Sequence, residues 1–227
     1  MDITINEYVE ILLKVDGSFE SRYNKISTIK NLLKGAREFS GRNIQTGIYE
    51  KKDVNEYDFL NELYETKRFN GLITYLVLLE IIGNIVQSNE TICKQNGIRR
   101  CLILFSKKIT ENSISPILNL RNSLVHNFSL CTDIVYNNKP KKKSNLFKYN
   151  LNFNETDDKN EIVKVPSIKW DGNFANSDDE TYTEIYVENL IDEIEFIYNQ
   201  VISQLKNNQI KVEIPINELN SRYTIKN

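Results

Sequence analysis

Hydrophobic residues recur every three or four positions over most of this chain, and this spacing predicts amphipathic α-helices. The predicted helices cover Ile3–Val15, about Glu20 to Phe39, a segment from Asn55 through Tyr64, Phe69–Val86, Gly97–Thr110, a segment from Ser115-Pro116 to about Phe128, and Tyr182–Leu205. The Phe69–Val86 helix is apolar on nearly every side, so we expect it to be the central, buried one.

The pattern changes after Phe128. Cys131–Tyr136 and Leu146–Phe153 are short segments rich in β-branched and aromatic residues, joined by a turn-like polar connection. They predict a β-hairpin, with a third strand near Ile162–Ile168. Another extended piece is predicted over Ile210–Ile216.

The predicted fold class is therefore all-α. We expect one helical domain over residues 1–227, a bundle with a small β-hairpin insertion at about 131–170. This insertion separates the helix that ends near Phe128 from the last long helix.

Composition narrows the possible functions. The net charge is −2 over 227 residues, so any contact with nucleic acid must come from a local basic patch. Cys93, Cys101 and Cys131 show no C-x-x-C spacing, which indicates thiols in a reducing compartment. With His126 they could form a Cys₃His zinc site, but their spacing is unlike that of a zinc knuckle or ribbon, so no metal or other cofactor is predicted. Neither a signal peptide nor a membrane-spanning run is evident in the sequence. Both observations favour a cytoplasmic protein that does not associate with a membrane.

The clearest candidate chemistry lies in the run Leu120–Phe128. It contains His126, the only histidine of the chain, with Arg121 five residues before it and Asn122 four before it. Histidine is the side chain whose unperturbed pKa falls between pH 5 and 8, and arginine binds anions such as phosphate. We therefore predict Arg121, His126 and Asn122 as catalytic residues, with Asn127 as a supporting polar residue.

A helical projection of this segment separates the two principal residues. At about 100° per residue, Arg121 falls within the apolar stripe of Ile117, Leu124 and Phe128, and His126 lies about 140° from it. The length of the arginine side chain, a helix end near His126, or a second subunit could bring the groups together.

Glu80 and a lysine run are the remaining candidates. Glu80 is the one charged residue in Leu72–Val86, and it is predicted to pair with Arg121, either locking two helices or aiming the arginine at a phosphate. Lys141, Lys142 and Lys143 lie in a basic run that would contact an RNA backbone or form a solvated hairpin tip.

The Arg121-Asn122-x3-His126 pattern resembles the ribonucleases of the HEPN superfamily, of the Arg-x4-His type. The resemblance implies an all-helical fold, a homodimer in which two copies of the motif line one cleft, and metal-independent cleavage of RNA to 2′,3′-cyclic phosphate and 5′-hydroxyl ends. It also implies a toxin or an anti-phage defence effector, controlled by an antitoxin or regulatory protein. A tyrosine found two residues after the histidine in one branch of the superfamily is replaced here by Phe128.

Two alternatives remain at the level of the sequence. One is a non-catalytic HEPN-like module that binds RNA or dimerises, with Arg121 and His126 holding a helix interface. The other is a purely structural helical partner protein.

Overall fold

The computed structural model describes residues 3–50, 58–88, 96–132, 135–136, 139–140, 146–154, 156, 158–175 and 179–226. The helices are α1 (Ile5–Leu13), α2 (Ser18–Tyr23), α3 (Thr28–Phe39), α4 (Asp58–Ile85), α5 (Gly97–Phe105), α6 (Glu111–Asn127), α7 (Val187–Lys206) and α8 (Ile216–Tyr223). The strands are β1 (Lys25–Ser27), β2 (Val86–Ser88), β3 (Val135–Tyr136), β4 (Lys139–Pro140), β5 (Tyr149–Asn152), β6 (Val163–Lys164), β7 (Thr183–Tyr186), β8 (Ile210–Val212) and β9 (Thr224–Lys226).

The chain divides into two compact units. The first comprises residues 1–105 and 195–227, and the second comprises residues 106–194. This division into units does not test the assignment of residues 1–227 to one domain, which stays a prediction.

The first unit is built around α4, which packs against both α3 and α5. The buried side chains include Leu33 of α3, Leu102 of α5, and Leu72, Leu76 and Leu79 of α4. A Cβ added to Gly83 of α4 would lie 1.8 Å from the carbonyl oxygen of Gly97, so the backbones of α4 and α5 meet where neither has a side chain. The predicted central position of the Phe69–Val86 helix agrees with this packing.

Two antiparallel strand pairs also belong to the first unit. β1 pairs with β9, with Ile26 opposite Ile225, and β2 pairs with β8, with Gln87 opposite Lys211. Each pair joins segments that are more than 120 residues apart in the sequence, so no local sequence pattern predicts either pairing.

The second unit combines α6 with a three-stranded sheet in the order β5-β7-β6. β5 runs parallel to β7, and β6 runs antiparallel to it. The phenol of Tyr149 on β5 donates a 2.8 Å hydrogen bond to the carbonyl oxygen of Pro116, which ties the sheet to α6. β3 and β4 form a separate antiparallel pair.

The all-α prediction is wrong: the protein is mixed α/β, with long helices and small sheets. The predicted hairpin is only partly formed, because Cys131 bridges Lys148 while β5 continues alongside β7. Its sheet therefore includes residues beyond the predicted 131–170 insertion. β6 does lie within the predicted third strand.

The predicted helix from about Glu20 to Phe39 is interrupted. Asn24 adopts a left-handed conformation (φ 49°) that ends α2, and the Ser27 hydroxyl accepts a hydrogen bond from the Lys30 amide to begin α3. The residues between them pair with β9 instead of continuing the helix.

One helical segment of the described chain, Tyr64–Ile85, is long and apolar enough to cross a membrane by length and composition. Of its most apolar window, 56% is buried inside the protein. Such burial is typical of the core helix of a soluble protein.

Candidate active site

The motif residues lie on α6, which is anchored along its buried face. Ile114, Ile117, Leu120 and Leu124 are each at most 2% exposed. The helix begins at Glu111, earlier than the predicted start at Ser115-Pro116, so Pro116 lies inside it. The bond from Tyr149 to the Pro116 carbonyl fixes the helix nearly three turns before His126.

α6 ends directly after the motif. Phe128 takes a left-handed conformation (φ 50°, ψ 41°), and its amide donates to the carbonyl oxygen of Leu124 at 3.2 Å. The amide of Ser129 donates to the carbonyl oxygen of Ser123 at 3.1 Å. These bonds satisfy carbonyls that a helix terminus leaves without an intrahelical donor. They also hold His126 in the last turn.

Arg121, Asn122 and His126 form one hydrogen-bonded cluster, which we call the α6 triad. Nη1 of Arg121 donates to Oδ1 of Asn122 at 3.0 Å and lies 3.2 Å from Nε2 of His126. Because Nη1 carries two hydrogens, one nitrogen serves both contacts. The structure therefore brings together the three residues that were predicted as catalytic.

The helical projection alone would keep Arg121 and His126 apart. The long arginine side chain overcomes the separation, since it leaves a partly buried origin and carries its guanidinium to the exposed end of the helix. Arg121 is half-buried, with its Nε atom fully covered, whereas Asn122 and His126 are exposed. One nitrogen of the guanidinium is thus buried, while the contacts of Nη1 with Asn122 and His126 lie at the exposed surface.

The chemistry of the 3.2 Å contact depends on the tautomer of the imidazole. A guanidinium N–H can only donate, so the contact is a hydrogen bond when the ring is neutral, with its hydrogen on Nδ1 and Nε2 accepting. A protonated ring would present a second donor beside the guanidinium. The two groups could then share an anion such as a phosphate oxygen. The α6 triad therefore places a side chain that can accept a proton beside one that can bind an anion.

The other predicted residues have different placements. Asn127 is exposed as the last residue of α6. Glu80 is on α4 in the first unit, so its predicted pairing with Arg121 stays a prediction. Lys141, Lys142 and Lys143 lie outside the described residues.

Sequence reasoning misjudged one residue beside the α6 triad. Phe128 was placed on the packed face of the helix, but its side chain is 73% exposed. The projection assumed a helix that continues, whereas the backbone of Phe128 turns out of the helical conformation. The helix-ending signal in the sequence was weak, because left-handed caps usually carry glycine or asparagine.

A separate cleft of about 550 Å³ opens in the second unit. It is lined by Asn150, Lys164, Val165, Pro166, Ser167, Glu180, Tyr182 and Glu184. The lining includes no α6 triad residue, so the triad lies outside this cleft. Within the described residues, no group of three or more His, Cys, Asp and Glu side chains could hold a metal ion.

Comparisons with protein-family models, with curated proteins and with solved structures find no match to this chain.

Proposed function

We propose that this protein is a metal-independent endoribonuclease of HEPN type, which cleaves RNA to 2′,3′-cyclic phosphate and 5′-hydroxyl ends. One observation carries the proposal. The guanidinium of Arg121 and the imidazole of His126 lie 3.2 Å apart at an exposed helix end, with the amide of Asn122 on the same guanidinium nitrogen.

The reaction needs a base, an acid and a group that stabilises negative charge. The guanidinium of Arg121 leaves Nε2 of His126 to bind the phosphate, which frees the lone pair of Nε2. Nε2 then takes the proton of the RNA 2′-hydroxyl, and the 2′-oxygen forms a bond to the adjacent phosphorus. The bond from phosphorus to the 5′-oxygen breaks, and the departing oxygen receives a proton. The products are a cyclic phosphate and a 5′-hydroxyl, with no water consumed in this step.

The cluster supplies two of these roles in one copy. Proton transfer by a positioned side chain contributes about 10²–10⁴ in rate. Arg121 stabilises charge on the phosphorane, an effect of about 10²–10³ by analogy with the loss of an oxyanion-hole donor. Asn122 holds the guanidinium in place.

The acid comes from a second copy in this proposal. A single chain has one imidazole, and an imidazole that acts as the base cannot donate the leaving-group proton in the same step. A homodimer with two α6 triads facing one phosphodiester supplies both a neutral and a protonated ring.

The wider biology follows only from the resemblance. The protein would act in the cytoplasm as a toxin or an anti-phage effector, with RNA as its substrate and an antitoxin or regulatory protein as its control. Lys141, Lys142 and Lys143 would contact the RNA backbone outside the α6 triad.

A second candidate is a non-catalytic module that binds RNA or dimerises. It is favoured by the hydrogen bonds within the cluster, since both hydrogens of Nη1 are used between residues of the same helix. In that role the cluster would stiffen the end of α6 and cleave nothing.

Incubation of the purified protein with end-labelled RNA in EDTA separates the two candidates. The endoribonuclease yields fragments with cyclic phosphate ends, and His126→Ala abolishes them. Arg222→Ala provides the matched control, because Arg222 is 58% exposed on α8 in the other unit. RNA that stays intact with wild-type protein, or is cut equally by His126→Ala, contradicts the proposal.

A further inference from the structure

Phe128 combines two unfavourable features directly beside the α6 triad. Its aromatic side chain is 73% exposed to water. Its backbone is in the left-handed region, where a Cβ atom crowds the following carbonyl oxygen. Among the described residues with positive φ, the non-glycine ones are Phe128, Asn24 and Asn208. The other two are asparagine, the usual non-glycine residue in this conformation.

The position does not require an aromatic residue for the fold. The hydrogen bonds that end α6 come from backbone amides, so glycine or asparagine would form them equally well. Strained backbone positions cluster at functional sites, where the surrounding structure holds them in place. An exposed aromatic ring held by such a backbone therefore indicates a ligand with a flat face.

We propose that Phe128 is the platform on which a nucleobase flanking the scissile phosphate stacks. The inference rests on the proposed ribonuclease activity and adds a base-binding subsite to it. The Cα atoms of His126 and Phe128 are at most about 7.6 Å apart, since each peptide spans about 3.8 Å. This separation is short enough for one nucleotide to contact the α6 triad with its phosphate and Phe128 with its base.

The surroundings favour a base over a second copy of the chain. Asn122, His126 and Asn127 are exposed polar residues within six positions of Phe128 in the chain, and Leu130, two positions after it, is an exposed apolar residue (39%). An exposed aromatic ring with several polar residues nearby in the chain suits single-stranded nucleic acid, in which stacking is combined with polar contacts to the backbone. The core of a protein interface is instead depleted of charged groups and rich in neighbouring apolar side chains.

The substrate for the test is a DNA oligonucleotide with one ribonucleotide, whose single 2′-hydroxyl fixes the cleavage site. The base on either side of the scissile phosphate is removed in turn to give abasic forms. Wild type, Phe128→Ala, Phe128→Trp and Phe174→Ala are compared. Phe174 is a matched control, because it is an exposed phenylalanine (64%) of the same unit that contacts Trp170.

Wild type and Phe174→Ala are expected to lose about 5- to 150-fold in kcat/KM on one abasic substrate, the range of base–aromatic stacking. On the intact substrate, the kcat/KM of Phe128→Ala should be lower than that of wild type by the same factor. On the abasic substrate, Phe128→Ala should show no additional loss of kcat/KM. Phe128→Trp should restore both the rate and the abasic penalty.

Several results would overturn the inference. One is that wild type loses kcat/KM on the abasic substrate and that Phe128→Ala shows the same loss in full. Another is a shift of Phe128→Ala toward monomer in sedimentation velocity with the penalty unchanged, which would make Phe128 a subunit contact. If wild type cleaves nothing, the proposed function fails. Fluorescence anisotropy then measures the binding of the same oligonucleotides to His126→Ala and to His126→Ala/Phe128→Ala. This comparison tests stacking on Phe128 independently of cleavage.

Discussion

Nη1 of Arg121 lies 3.2 Å from Nε2 of His126, although the two residues are five positions apart on the same helix. The contact depends on the length of the arginine side chain and lies at a helix end, because α6 ends one residue after the histidine. It makes the two groups one chemical unit, in which the protonation state of the ring determines whether it accepts from the guanidinium or competes with it for an anion.

Because the two groups act together, their mutations should not add. Arg121→Ala and His126→Ala are each expected to lower the rate of RNA cleavage by about 10²–10⁴-fold. The double variant should be no slower than the worse single variant, as for other residues that act as a unit. Single-turnover rates on one labelled RNA measure this, and losses that multiply would contradict it.

Asn122 should affect the rate of RNA cleavage by positioning the guanidinium of Arg121. Its Oδ1 atom accepts from the guanidinium at 3.0 Å, so Asn122→Ala is expected to slow cleavage by about 10- to 150-fold, the range for one hydrogen bond to a charged group. Asn119→Ala on the same helix is the control, because Asn119 bonds only to the Ser115 carbonyl among the contacts described for it. Equal rates for the two variants would remove Asn122 from the site.

Phe128→Gly should stabilise the protein relative to Phe128→Ala. Both changes remove the exposed ring, but only glycine removes the left-handed strain at φ 50°. The difference should be about 1 kcal/mol, or about 2–4 °C in Tm for a chain of this size. Calorimetry measures it, and an alanine variant at least as stable as the glycine variant would show that the position is not strained.

Gly47 and Gly35 should respond oppositely to alanine. A Cβ at Gly47 would lie 2.5 Å from the carboxyl carbon of Glu195, and the residue has φ +74°. That carboxylate accepts from Nε and Nη2 of Arg37, at 2.8 and 2.7 Å, and from the Tyr75 phenol at 2.6 Å. Displacing it from a buried ion pair should cost about 3–5 kcal/mol.

Gly35 provides the contrast. It lies within α3, and no atom of the described residues lies within 4 Å of its Cβ position, so Gly35→Ala should stabilise the protein by about 0.5–1 kcal/mol. Guanidinium unfolding midpoints measure both changes. A tolerated Gly47→Ala would mean that the Arg37–Glu195 pair can move without loss.

Stability should fall between pH 10 and about pH 12. Burial, with a smaller contribution from Tyr23, raises the pKa of Tyr8 from 10.0 to about 12. The unfolded chain then releases the phenolic proton at lower pH than the folded chain does. The contribution is fully present below pH 10 and is lost as pH rises through about 12.

Tyr8→Phe tests that sign. It removes the titrating group and its 2.7 Å hydrogen bond to Asn220, so it should lower stability at pH 7 and flatten the alkaline decline. Unfolding midpoints from pH 7 to 11.5, followed by circular dichroism, measure the slope. An unchanged slope would assign the decline to other buried tyrosines such as Tyr149 and Tyr198, whose pKa values burial also raises.

The helices were predicted well where one buried face determines them. The period of three to four residues in Ile3–Val15 corresponds to α1. That in Tyr182–Leu205 corresponds to α7 only from Val187 onward, because Thr183–Tyr186 form β7 instead of helix. The same reasoning missed the break at Asn24 and the strands β1 and β9. Their hydrogen bonds join residues 25–27 to residues 224–226, and a local window contains only one of the two partners.

The sequence by itself determined which residues could carry acid–base chemistry, because one histidine with a nearby arginine and asparagine is a matter of composition and spacing. Only the tertiary structure decided that Arg121 reaches His126, that Phe128 is exposed, and that small sheets accompany the helices. Those outcomes depend on where α6 ends, how its side chains extend, and which distant strands pair. Each depends on contacts between residues, and the order of residues in the sequence does not show which of them are neighbours in space.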